Sequence, residues 1–328
     1  MRMVCPFAKE LSMPNIFAHA CMGRQTRALL PKAHQGRLGE AQQAFDFSLQ
    51  GSDFFYYYNM APLRPNTRIA QYGRRIHKTR ISPWFRSLLY QCLALDGRQR
   101  STAGAYLAGY LCHYALDTCC HGYICHYCGK SANHTKLETL IDQKLLQVQG
   151  IDQKNYAPSQ YLEAGEAKTT IAQLYQNALR EAHGESVSLK RIQLAMDSFQ
   201  RFYQKHEKNQ GRHYRHYRRL ENLLAGGYPL MTRVLMPPES DDRDYLNLSH
   251  QIWCKPWDVN DTSDADFLQL TRQACEKAAV YIQALFAAMD CPEKAEEALV
   301  LWGDLSLLTG EACKTDLPQN HRSHRFFA

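Results

Sequence analysis

Apolar residues recur along this chain mostly at spacings of three and four, and the strict alternation of a half-buried strand is hard to find. The pattern predicts helices over 16–30, 36–50, 67–79, 83–98, 101–127, 133–149, 167–183, 188–208, 211–225, 263–290 and 293–302. Gly51 and Gly150 follow periodic stretches and read as helix stops. Ser82-Pro83 and Ser263 read as helix starts. The fold class is therefore all-α, a single multi-helix bundle over 13–328 with residues 1–12 as an N-terminal extension. The segment 226–262 is rich in Pro, Gly and Asp. It reads as a long ordered loop whose Trp253 and Trp257 pack on the helices.

The helix predicted over 101–127 is apolar around nearly its whole circumference, so it belongs at the centre. Yet it carries His113, Asp117 and His121 at intervals of four. At ~100° per residue each step of four drifts by only ~40°, so the three point to one side. An ionised carboxylate with two imidazoles in such a place is costly unless paired or metal-bound. The next helix repeats the device with His134 and Glu138. Two antiparallel helices joined by a short turn at 128–133 bring the two faces together, as metal-binding bundles do.

Simpler readings stand beside this one. A lone buried His is commonly a satisfied core residue, and a His four residues from a carboxylate is often only a helix-surface pair. Cys125 and Cys128, with Cys119 and Cys120 upstream, suggest a zinc ribbon instead, but a second Cys-x-x-Cys knuckle is missing. Five aromatics after Asp53 (residues 54–58) fit a core or a cleft wall. The basic and aromatic stretch 212–224 reads as a solvated helix face, or as a patch that meets phosphates of lipid or nucleic acid.

Composition changes this picture little. The 328 residues are 45% hydrophobic, enough for a sizeable core, and the net charge of +7 is modest. The first residues hold no apolar run of signal-peptide type, and no stretch is long and apolar enough to span a membrane. The cysteines are scattered singly through apolar helical stretches, as free thiols of a reducing cytoplasm are.

The segments MPNIFAHA (13–20), GSDFFYYYN (51–59), RRIHK (74–78), AYLAGYLCHYALDTCCHGYI (105–124) and NHTKLE (133–138) together resemble the zinc-dependent phospholipase C family. DYLNLSHQIWCKPW (244–257) and WGDLSLLTG (302–310) resemble its cytosolic, signal-less branch, and the family is distantly related to single-strand zinc nucleases. The resemblance implies an all-helical fold with two or three Zn2+ ions at the base of a cleft. It implies Asp53, His77, His113 and Asp117 around one ion, His121, His134 and Glu138 around a second, and His19 with a bridging Asp117 at a third. A bridging carboxylate holds two ions roughly 3.5–4 Å apart. Asp53 is also implied to orient the attacking water or accept its proton.

The chain departs from the secreted relatives in three respects. It lacks the N-terminal Trp that completes their third site, although a start at Met13 would place Pro14 five residues from His19. Its Asp117-to-His121 spacing is shorter, which makes His126 a rival ligand. It also lacks a lipid-binding β-sandwich. The expected activity is hydrolysis of a small-molecule or lipid phosphodiester. A single-strand nuclease and a non-catalytic, zinc-stapled helical protein are the alternatives. Peripheral membrane contact is a further expectation, nucleic acid is the less favoured partner, and no obligate protein partner is evident.

Overall fold

The structure is a computed structural model that describes residues 16–58, 67–128 and 133–312. Twelve α-helices lie among the described residues: α1 Ile16–Leu29, α2 Lys32–Glu40, α3 Gln42–Ser48, α4 Thr67–Lys78, α5 Ser82–Ala94, α6 Gly97–Tyr127, α7 His134–Val148, α8 Lys168–His183, α9 Leu189–Glu207, α10 Gln210–Leu224, α11 Phe267–Asp290 and α12 Ala295–Trp302. A 3-10 turn, Asp53–Tyr57, follows α3. The fold is all-α, relieved among the described residues by one antiparallel hairpin, β1 Trp253–Lys255 and β2 Asp258–Ser263. The extension expected over 1–12 lies outside the described residues, as does most of the turn expected at 128–133.

Helix α6 is the axis of the molecule. It packs against α1, α3, α5, α7, α8 and α11 and is buried through most of its length. Burying one Leu or Phe fully is worth about 1.5–3 kcal/mol, so its many apolar positions offset the cost of carrying His113, Asp117 and His121 inside. Gly109 admits α3: a Cβ there would stand 2.5 Å from the Phe45 carbonyl oxygen. No helix among the described residues is long and apolar enough to cross a membrane.

Three boundaries differ from the periodicity. The helix expected over 36–50 is two, because the chain turns at Ala41 (φ −134°, ψ 47°). This turn lets α3 bury Phe45 and Phe47, while α2 buries only Leu38. The helix expected from Ser263 begins four residues later. Asp266 is its cap, accepting from the Gln269 amide at 2.6 Å, while the Gln269 side chain accepts from the Asp266 amide at 3.0 Å. Ser263 instead ends β2, whose other residues lie in the segment expected to be irregular.

The 226–262 segment is pinned to the helices at both ends. The Glu221 carboxylate accepts from the backbone amides of Leu230 and Thr232 at 2.8 and 2.9 Å. Farther along, Trp253 packs edge-on against Tyr123, with ring centroids 5.5 Å apart, and donates to the Ala265 carbonyl.

Candidate metal centre

The eight residues that sequence singled out come together beside α6. His113, Asp117 and His121 line one side of that helix, and α1, the 3-10 turn, α4 and α7 bring in the rest. They form three groups whose candidate ligand atoms lie within 4.8 Å of one another: His19, His113 and Asp117; Asp53, His77 and His113; His121, His134 and Glu138.

Asp117 divides its oxygens. Oδ1 lies 3.5 Å from His19 Nε2, and Oδ2 lies 3.3 Å from His113 Nε2. His113 Nε2 is also 3.7 Å from Asp53 Oδ2, while His77 Nε2 is 3.1 Å from Asp53 Oδ1. In the third group Glu138 Oε1 lies 3.1 Å from His134 Nε2 and 3.6 Å from His121 Nε2. The first two groups thus share His113, and the third stands one helical turn along α6 and α7.

Each segment that delivers a ligand is held locally. Gly51 ends the turn after α3 at φ +50°, and a Cβ there would sit 2.4 Å from His113 Cδ2. Only glycine lets this turn lie against the imidazole while bringing Asp53 round to it. Gly51→Ala is therefore expected to destabilise the fold by about 2 kcal/mol or more and to lower bound metal, read by thermal melts and elemental analysis. The His77 and His113 rings are fixed from behind: Nδ1 of each donates to a backbone carbonyl, Gly73 at 2.7 Å and Leu49 at 3.2 Å. This tautomer leaves both Nε2 lone pairs facing the acids.

Sequence reasoning missed Asp142. Its carboxylate is buried one turn beyond Glu138 and accepts from the amides of Phe17 at 2.9 Å and Ala18 at 2.8 Å. These are unsatisfied donors of the first turn of α1, so Asp142 caps α1 from another helix and sets where His19 stands. An aspartate four residues after Glu138 was the available signal, but it extends the His134/Glu138 spacing with a second acid and no histidine.

The electrostatics are those of a site short of positive charge. Burial drives the His19 imidazole down to about 3, and burial with His19 and His77 nearby drives His113 well below its ordinary range. Burial pushes Asp53 up to about 6 against the pull of His77. Burial, Asp53 and Glu138 push Asp117 well above the carboxylate range. Burial opposes ionisation of Glu138 and His134 too, but their mutual attraction wins, so the acid is lowered and the base raised.

The donor set fits metal better than it fits itself. Both oxygens of Asp53, His113 Nε2 and Glu138 Oε2 are buried and accept or donate no well-formed hydrogen bond, although partners stand 3–4 Å away. Buried polar atoms are seldom left so. Neutral imidazoles and carboxylates converging at this distance are a zinc donor set, and a dication would reverse the preferences that burial imposes on the acids.

Other candidates fall outside these groups. His126 is half-buried against Trp253 and near Cys254 Sγ, away from His121. All cysteines among the described residues are free, and none joins a candidate metal group there. Cys125 and Cys128 instead lie against the His134 ring. The aromatics Phe54 to Tyr57 are core; Tyr57 shares a hydrogen bond with the Tyr203 hydroxyl.

Beside the groups lies a small cavity of about 20 Å³. Its floor is His19, Asp117, His121 and Glu138, and its walls include Leu116, Ile124, Ile141 and Phe267. Comparison with curated proteins and with solved structures returned no match. The family model for zinc-dependent phospholipase C matches residues 18–186, a span that begins just before His19, runs past Glu138 and takes in more than half of the chain. With every candidate ligand inside that span, the chain belongs to the zinc-dependent phospholipase C family.

Proposed function

We propose that this protein is a zinc-dependent phosphodiester hydrolase acting on a small-molecule or lipid substrate, with the eight clustered residues as ligands. The carrying observation is Asp117 set between His19 and His113, one oxygen to each, with Asp53 adjoining at His113. Bound zinc ions would supply the Lewis acidity that polarises a phosphoryl oxygen and eases the ionisation of water.

The chain's own groups do the rest. Asp53 orients the attacking water and accepts its proton, held in place by His77. Asp117 keeps His19 and His113 converged on its two oxygens. Leu116, Ile124, Ile141 and Phe267 keep bulk water from one side and present an apolar wall to the substrate's apolar part. That wall favours a lipid-like phosphodiester over a polynucleotide.

The test measures hydrolysis of bis(p-nitrophenyl) phosphate and of short-chain phosphatidylcholine, beside a single-stranded oligonucleotide, by wild type and Asp117→Asn. The expected result is cleavage of the first two, lowered by about 10²–10³-fold in the variant. Cutting of the oligonucleotide alone would turn the reading to a nuclease. No turnover at any pH, in a protein that chelation nonetheless destabilises, would leave a zinc-stapled helical protein.

A further inference from the structure

Helix α10 is attached to the molecule by little. Among its residues only Glu221 is buried, and that carboxylate ties it to the 230–232 loop. The same loop continues to Arg233, whose carbonyl accepts from Thr139 Oγ1 at 2.8 Å, on the residue after Glu138. α10 therefore reaches the ligand-bearing helix α7 through one loop.

The face of α10 opposite Glu221 has a definite composition. At ~100° per residue, Arg212, His216, Arg219 and Leu223 fall in one stripe across the helix from Glu221. All four are exposed, as are Arg215 and Leu220 flanking them and Leu224 at the end of the helix. Leu223 and Leu224 are 79% and 78% exposed, far beyond what a leucine needs at a helix surface. None of the three arginines forms an ion pair with a carboxylate among the described residues. At the start of the helix, Lys205, Arg212, His213 and His216 line an open hollow that continues the basic charge. The helix is thus cationic along most of its length and apolar at its final turn.

From this charge and apolar complementarity, we propose that the outer face of α10 docks on an anionic lipid bilayer, with the arginines on headgroup phosphates and Leu220, Leu223 and Leu224 set into the acyl boundary. Arginines alone would suit any polyphosphate. The leucines add nothing to a nucleic-acid contact, and a single strand would want exposed rings to stack on. The tyrosines of α10 do not offer them: Tyr214 and Tyr217 are partly buried, and the Tyr217 hydroxyl bonds His206 at 3.1 Å.

The experiment is co-sedimentation of the full chain with vesicles of phosphatidylcholine alone, or with added phosphatidylserine. It needs no turnover, so its failure leaves the hydrolase reading standing, and failure of that reading leaves this one standing. Wild type is expected on the anionic vesicles, less at high salt, and scarcely on the neutral ones. Arg212→Glu/Arg215→Glu/Arg219→Glu is expected to lower binding at least ~100-fold, at roughly fivefold per arginine removed. Leu223→Ser/Leu224→Ser is expected to cost about 10-fold, and most of the salt-resistant part. All these side chains are exposed, so circular dichroism and melting of the variants should match wild type. Three results would overturn the proposal: no binding to anionic vesicles, variants that bind as wild type does, or retention of an oligonucleotide in place of vesicles. A dimer that Leu223→Ser/Leu224→Ser dissociates, without vesicle binding, would also overturn it and assign the face to a second copy of the chain.

Discussion

His113→Ala is expected to remove one zinc ion per chain and to lower phosphodiester turnover by about 10³-fold. His113 Nε2 stands between Asp53 and Asp117, so its loss removes one ligand and leaves both carboxylates without their imidazole neighbour. The group of His121, His134 and Glu138 does not include it and should keep its ion. Elemental analysis of wild type and variant checks the count. Full occupancy would remove His113 from the ligand set. The variant also leaves the Leu49 carbonyl without its donor, a loss of about 1–3 kcal/mol, so its fold must be verified by near-ultraviolet dichroism.

Chelation carries the second large effect. Stripped of metal, the site is neutralised by protons: burial and the other acids hold Asp117 well above the carboxylate range, and burial holds Asp53 at about 6. Both shifts are upward, so near pH 6 these acids take up protons when zinc leaves and release them when it returns. The two histidines shifted furthest down, His19 and His113, are already neutral at that pH and contribute nothing. The raised His134 and His77 add to the acids, so zinc binding to the stripped protein at pH 6 should release about two to three protons per chain, measured by calorimetry in buffers of different ionisation enthalpy. A ligand present at a thousandfold over its dissociation constant adds about 4 kcal/mol, so stripping should lower the melting temperature by about 10 °C. Unchanged melting, or zinc binding without proton release, would count against this donor set.

The sequence made parts of this molecule plain because they are local. The intervals of four in α6 and α7 put five ligands on two helix faces before any packing is considered, and positive-φ glycines stop chains where expected, as at Gly51 and Gly150. His19, Asp53 and His77 stand on other elements, with nothing in their own surroundings to mark them. Family resemblance pointed to them, because convergence on α6 is a property of packing.

The misses have the same origin. DVNDTS alternates weakly and lies exposed, so β2 leaves no period to read. Ala41 has no breaker beside it, and the break there comes from turning Phe45 and Phe47 inward. Asp142 acts on amides 124 and 125 residues away in sequence.

That last span bears on biosynthesis. While the ribosome is still adding residues before 142, the first amides of α1 have no acceptor, and α7, which completes the His121 group, is unfinished. Until then the contact that fixes the beginning of α1, the helix that carries His19, is missing; it forms only once the aspartate that clamps the beginning of the protein to its middle has been added.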